Sequence, residues 1–206
     1  MVIDPRKNWA LVEQRLAEES DPRLQRNLQI VLQHMKAEAT LDFDALLATV
    51  ADDARYHFFG SEDDEAFAGP KGKTNVEAFY RSIIELDIHR IEHDIDRLVV
   101  DKHCIITEGQ MRIAYPGALL KGMGYAVEED DAYYLYETRS AIVWPIDDNG
   151  LIVGEDSYTG ADGFAGIENR KIELDQIVTL WASFLSFELS QRCRYQLGAS
   201  AKNILG

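Results

Sequence analysis

The feature that constrains this chain most is a change of hydrophobic period at Asp52-Asp53. Ahead of it, apolar residues recur every three or four positions, the spacing that lays one stripe along a helix. A first helix is predicted before residue 20, and a second begins at Asp21-Pro22. There an acidic N-cap and a proline in the first turn dispose of orphan amides. Leu24, Leu28, Val31, Leu32 and Met35 make its apolar stripe, and Asp42 opens a short third helix with Phe43, Leu46, Leu47 and Val50 inward. Ala54 to Gly60 is short and aromatic, as a strand should be, and an acidic loop follows to Gly72. Thr74 and Glu77 have the spacing of a capping box, with Val76, Phe79, Tyr80, Ile83 and Ile84 at helical spacing behind them. The chain then turns to β, with runs at Ile95–Val100, Cys104–Tyr115, Tyr133–Ile146 and Leu151–Thr159. Asp147-Asp148-Asn149-Gly150 marks a hairpin. Pro116 to Asp131 is expected to be a long, mobile connection over a cavity mouth, and Ile172 to Leu189 a last amphipathic helix carrying Ile177, Leu180, Trp181, Phe184 and Leu185.

Helices first and a mostly antiparallel sheet afterwards is the α+β pattern, predicting one domain over residues 1–206 in which the N-terminal helices pack a curved, cone-shaped sheet. The apolar interior of such a cone, with a few polar groups, suits a small ligand. With 36 Asp+Glu against 21 Lys+Arg the formal net charge is −15, which opposes nucleic acid and anionic membrane as partners. Cys104 and Cys193 form no C-x-x-C pair and suit a reducing compartment. No apolar stretch follows the basic residues of Met1–Lys7, and none elsewhere approaches ~18 residues. A soluble cytoplasmic protein is therefore expected.

Several motifs fail on inspection. Gly72-Lys73-Thr74 ends like a phosphate loop, but Phe67 stands where its first glycine is required, and Gly122-x-Gly124 joins no strand to a helix. His89-Arg90-Ile91-Glu92-His93 has the H-x-x-E-H spacing of a helical zinc site but falls where a helix gives way to a strand. It is expected to be a surface turn with solvated histidines, and neither metal nor cofactor is expected. The acid–base candidates stand within β-segments. His57 is either a general base or a satisfied, half-buried histidine. Glu108 with Arg112, and Glu137 with Arg139, share strand faces, as site groups or as outer ion pairs. Glu155 and Asp156 must point to opposite faces, so at most one serves a pocket, where burial raises a carboxyl into the neutral range. Tyr56, Phe58, Tyr115, Tyr133, Tyr134, Tyr136 and Trp144 form the expected aromatic lining, and Tyr158 shares parity with Asp156.

The stretch Asp53-Ala54-Arg55-Tyr56-His57-Phe58, the segment Gly72 to Tyr80, the strand Ile105-Ile106-Thr107-Glu108-Gly109 and the hairpin Val143 to Ile152 together resemble the SnoaL-like branch of the nuclear transport factor 2-like superfamily. The likeness spans about residues 22–160, leaving 1–20 and 161–206 as helical extensions. It implies a cystatin-like α+β barrel, a small-molecule ligand and a homo-oligomer. It does not fix an activity, because this cone hosts isomerases, dehydratases, epoxide hydrolases and binders. Phe58 stands where the ketosteroid isomerases carry a carboxylate. Gly109, Met111 and Ser157 replace the arginine and two aspartates of the limonene-type epoxide hydrolases. The remaining groups, His57, Glu108, Arg112, Arg139 and Glu155 as acid–base residues and Tyr56, Phe58, Tyr115, Tyr136, Trp144 and Tyr158 as substrate contacts, suit elimination from a small aromatic molecule. The implied activity is a cofactor-independent lyase, releasing water or formaldehyde. A non-catalytic binding or assembly module and an isomerase or cyclase are the alternatives.

Overall fold

Asp21 is extended and accepts hydrogen bonds from the amides of Arg23 and Leu24, so the chain enters its longest helix with its first donors satisfied. A computed structural model describes residues 1–59 and 68–180. Helix α1 (Lys7–Glu18) is followed by α2 (Pro22–Thr40), α3 (Phe43–Ala48), β1 (Val50–Phe59), β2 (Ala68–Lys71) and α4 (Lys73–Glu85). The second half is β3 (Ile91–Val100), β4 (Cys104–Pro116), α5 (Gly117–Gly122), β5 (Tyr133–Pro145), β6 (Ile152–Thr159) and β7 (Lys171–Ile172). The fold is α+β: a curved, unclosed mixed sheet in the order β2-β1-β6-β5-β4-β3, with β7 added beside β5. Among the described strands only β1 with β6 pairs in parallel. None of the described helices is long and apolar enough to cross a membrane.

Helix α2 buries Leu28, Val31 and Met35 against Ile95, Ile105, Ile142 and Trp144 of the sheet. A second cluster joins Ala37 and Leu46 to Val50, Tyr56, Val76 and Tyr80. Asn27 donates from Nδ2 to the carbonyls of Asp101 and Lys102, fixing the helix to the β3–β4 turn. The indole of Trp144 donates to Thr107 Oγ1 at 3.1 Å, satisfying two buried polar atoms at once.

The structure corrects five local expectations. Val50 opens β1 rather than closing α3, because the helix ends at Ala48. Helix α4 begins at Lys73 with Gly72 as its N-cap at φ 81°, and no side chain caps it. The amide of Gly72 is held by the carbonyl of Ala54 at 2.7 Å, and the helix starts two residues too early for Thr74 and Glu77 to form their box. The connection after β4 is no mobile strap, since α5 and Val127 are anchored on Tyr134 and Ile167 by the buried Leu120 and Val127. His89 and His93 are buried, not solvated, because β3 begins between them and carries His93 inward. The expected last helix is not formed over its first part: Ile172 pairs in β7, and Ile177 bridges Ile3. Both pack with Ala114 against the outer sheet face. Trp181, Phe184 and Leu185 lie outside the described residues, as does most of the acidic loop.

Gly109 on β4 faces a bulge in β3, and a Cβ there would strike the carbonyl of Asp94. Gly109→Ala is expected to lower stability by about 1–3 kcal/mol through overpacking, seen as a lower urea midpoint with unchanged slope. A Cβ at Gly122 meets nothing within 4 Å, so Gly122→Ala is the control, and equal losses in the two variants would count against this account.

Candidate active site

Strand alternation divides the sheet residues between a concave face turned toward α2 and α4 and a convex outer face. Tyr56 and Phe58 stand beside Glu155 and Ser157 through the parallel β1–β6 register. Ile113 pairs with Tyr136, and Met111 with Thr138, on the same side of β4 and β5. These faces enclose a cavity of about 350 Å³ lined by Phe58, Phe79, Ile91, Met111, Ile113, Tyr115, Ile142 and Trp144, with Glu38, His93, Glu155, Ser157 and Asn8 as its polar groups. A side chamber of about 20 Å³ adjoins it between Glu38, Tyr80 and His89. Among the described residues lining either space there is no lysine or arginine.

Two carboxyls set the electrostatics. Burial, reinforced by the nearby charge of Glu38, pushes Glu155 up to about 8, although its contact with Tyr80 pulls the other way. Burial likewise pushes Glu38 up to about 7. The Tyr80 hydroxyl lies 3.0 Å from Glu155 Oε2 and 2.9 Å from His34 Nε2. His34 Nδ1 lies 2.7 Å from Thr49 Oγ1, whose hydroxyl donates to the Leu46 carbonyl at 2.6 Å. His34 is fully buried, which pulls it down to about 3 and keeps the ring neutral. Burial also pulls His93 down to about 4. Its Nε2 lies 3.3 Å from the carbonyl of Ser140, an acceptor that can only take a proton, so Nδ1 is the bare nitrogen. Because β3 and β6 lie far apart in the sheet order, the sheet's curvature sets His93 across the cavity from Glu155.

Of the acid–base residues expected from sequence, Glu155 alone faces this space. His57 points outward, where its Nδ1 is 2.6 Å from Asp156 Oδ1 and its ring stacks on Phe59. Tyr158 is also outside, exposed and stacked on Phe59 at 4.5 Å. Glu108 accepts from Arg97 and Arg139 on the outer face, and Arg139 also grips Asp96. Arg112 donates to Glu137 and to the buried Glu92, again on the outer face. Phe58, Tyr115 and Trp144 line the cavity as expected. Tyr56 stands behind that wall with its ring edge-on to Phe79 and Tyr80. Tyr136 is not among the residues lining the cavity; its ring packs with Tyr115 and Phe164. Met111 and Ser157 face inward, and Gly109 shares their parity, so the positions compared with the epoxide hydrolases are those of the cavity wall.

Sequence reasoning missed Glu38, Tyr80, His34 and His93. The first two were hidden in helices assigned to packing. His34 and Glu38 are spaced by four on α2, with Asn27 seven before His34, so a polar line runs beside the apolar stripe and could have exposed them.

A family model for the SnoaL-like domain matches residues 31–154. A solved structure assigned to the SnoaL-like polyketide cyclases, from Shewanella denitrificans, is 14% identical with a TM-score of 0.55, covering 69% of this chain and 96% of its own. Another, from Shewanella putrefaciens, is 13% identical at TM-score 0.53 over 72% and 86%. An epoxide hydrolase of M. tuberculosis resembling the limonene type is 19% identical at TM-score 0.50 over 70% and 91%. At these identities the likeness concerns the fold. No curated protein matches the sequence. The family match spans more than half of the residues, from the middle of α2 into β6, so the chain belongs to the SnoaL-like domain family.

Proposed function

We propose that this chain is a cofactor-independent lyase working by acid–base elimination on a small, uncharged aromatic molecule. The observation that carries the reading is the pair of half-buried carboxyls, Glu38 and Glu155, that open into one apolar-walled cavity, where desolvation raises their proton affinities into the neutral range. A site that only stored an apolar ligand would gain nothing from two desolvated carboxyls. The wall of aromatic and aliphatic side chains suits a flat ligand, and the lack of a lining cation disfavours a carboxylate or phosphate on it. In a dehydration, one carboxylate takes a proton from carbon while the other carboxylic acid protonates the departing hydroxyl, and water leaves. In formaldehyde release the base takes the proton of a hydroxymethyl group, the carbon–carbon bond breaks, and the acid protonates the carbon left behind. The bare Nδ1 of His93 offers an acceptor for a substrate hydroxyl across the cavity. Self-association, implied by the family resemblance, belongs to the same proposal, as does a cytoplasmic setting. The exposed Tyr158 gives the outer face apolar ground for the former.

Purified wild type, Glu155→Gln, Glu38→Gln and His57→Ala are to be incubated with aromatic diols, hydroxyketones and enones, following mass change and free formaldehyde. Each carboxyl variant is expected to lose on the order of a hundredfold or more, and His57→Ala to keep its rate because its ring faces outward. Full activity in both carboxyl variants would sink the assignment. A product of unchanged mass would instead identify an isomerase, and binding without turnover a carrier.

The same groups fix how stability depends on pH. The folded chain keeps protons on Glu38 and Glu155 up to about 7 and about 8, whereas the unfolded chain releases them near the ordinary 4.5, so their contribution falls as pH rises through that window. His34, His89 and His93 behave oppositely. Held near 3, 4 and 4 when folded and 6.5 when free, they make stability rise with pH up to about 6.5. Above that, among these groups only the carboxyls act. Chemical denaturation is therefore expected to show stability declining from about pH 6.5 to 8, and the Glu38→Gln/Glu155→Gln double variant should flatten that limb. A decline that persists unchanged in the double variant would contradict it.

A further inference from the structure

The hydrogen bonds behind Glu155 have a direction. The Leu46 carbonyl has no proton to give, so its 2.6 Å contact with Thr49 Oγ1 must be filled by the threonine's own hydrogen. Thr49 can then meet His34 Nδ1 only as an acceptor, which places the single hydrogen of the neutral imidazole on Nδ1. His34 Nε2 is left as a lone pair 2.9 Å from the Tyr80 oxygen, so the phenol's hydrogen is committed to it. The 3.0 Å contact between the Tyr80 oxygen and Glu155 Oε2 can hold a hydrogen from either side; with the phenol's own hydrogen on His34, it is filled from the carboxylic acid. Every contact in the chain is satisfied when Glu155 is protonated. Ionising it takes the hydrogen from one contact and sets two lone pairs against each other.

We propose that Thr49, His34 and Tyr80 form a directed proton chain that holds Glu155 as the proton donor of the carboxyl pair and leaves Glu38 as its proton acceptor. This rests on the acid–base reading above and assigns the two roles within it. Thr49, His34 and Tyr80 are positioning residues in that scheme, since they act through Glu155. Glu38 has no such chain behind it among the described residues, so when the pair carries one proton the charge sits on Glu38. The titratable groups around Glu155 are Glu38 and His34 from α2, Tyr80 from α4, Tyr56 from β1 and His93 across the cavity from β3, with Asp156 next in the chain on the outer face. None of these is a fixed cation that would hold Glu155 ionised. An elimination then has a defined handedness: the carbon-bound proton goes to Glu38, and the leaving hydroxyl receives its proton from Glu155. A proton passing from Glu38 back to Glu155 resets the pair.

The test needs no substrate. In wild type with nitrogen-15-labelled histidine, the imidazole of His34 is expected to be neutral with its hydrogen on Nδ1, and a hydrogen on Nε2 overturns the proposal. Carbon-13-labelled glutamate, assigned with Glu155→Gln, then reports the Glu155 titration in Thr49→Val and Thr49→Ser. Losing the hydroxyl frees His34 to donate from Nε2 to Tyr80, and Tyr80 to donate to an ionised Glu155. Thr49→Val should therefore lower the Glu155 midpoint by about one pH unit, and Thr49→Ser should restore it. An unmoved midpoint in a folded Thr49→Val protein overturns the chain, and if that variant does not fold, the wild-type tautomer decides. Failure here leaves the activity losses of the carboxyl variants standing, whereas active carboxyl variants beside an intact chain would reject the lyase reading alone.

Discussion

The parallel pairing of β1 with β6 is the contact on which the site depends. It sets Tyr56 beside Glu155, His57 beside Asp156 and Phe58 beside Ser157, so inward and outward residues of the two strands stay in step. A slip of one residue would either turn Glu155 to the surface or bring His57 into the cone, according to which strand moved. The two strands are far apart in the chain, and no hairpin fixes their register. It is fixed by what each face must bury: Tyr56 is 1% exposed and packs with Val50, Val76 and Tyr80, and no polar neighbour of that strand could replace it. The pairing therefore determines which acidic residue meets apolar surroundings and which meets water.

The cavity's chemistry is a product of the helices as much as of the sheet. Helix α2 crosses the concave face with an apolar stripe, yet Asn27, His34 and Glu38 run beside that stripe. Each is held for a different reason. Asn27 satisfies a turn, His34 is bonded at both nitrogens, and Glu38 opens into the space itself. A polar side chain left without partners in such a place would cost about 1–3 kcal/mol, so the bonds on His34 keep a buried imidazole from undermining the helix that carries it. The outer face is built on the opposite principle. Glu108, Arg97, Arg139 and Asp96 exchange charge across neighbouring strands at the surface, where water screens each pair.

Much of the architecture was legible in the sequence because period and capping are local signals. Asp21-Pro22 and Asp42 start their helices where expected, and the long β-runs became the long strands. The site was less legible, because strand parity gives two faces without saying which is inside. His57 and Glu155 looked alike as ionisable residues among aromatics; only the pairing of their strands separates them. Glu38 and Tyr80 were obscured because a polar or phenolic residue on a helix is compatible with a solvated edge or a plain core. Their meaning appears only when α2 and α4 converge on one carboxyl. The start of the expected last helix misled for another reason: the stripe that suggested it begins at Ile177, and Ile172, five residues earlier, belongs with Ile177 to an extended chain that bridges Ile3 and closes over Ala114.

Strand β3 ends the sheet and would present its outer amides to any passing chain. The amide of His93 is instead taken by Asn8 Oδ1 at 2.7 Å, and the carboxylate of Glu92 holds the amide of Asp4. The first turn of α1 thus acts as a stopper on the sheet's rim, filling the place of a further strand without being one. The same stopper bears on the backbone of His93, so the boundary that ends the sheet also aligns one wall of the cavity. Growth of the sheet by strand addition at this rim and faithful aim of His93 are opposed by construction: a chain that gained a neighbour there would have to surrender the other.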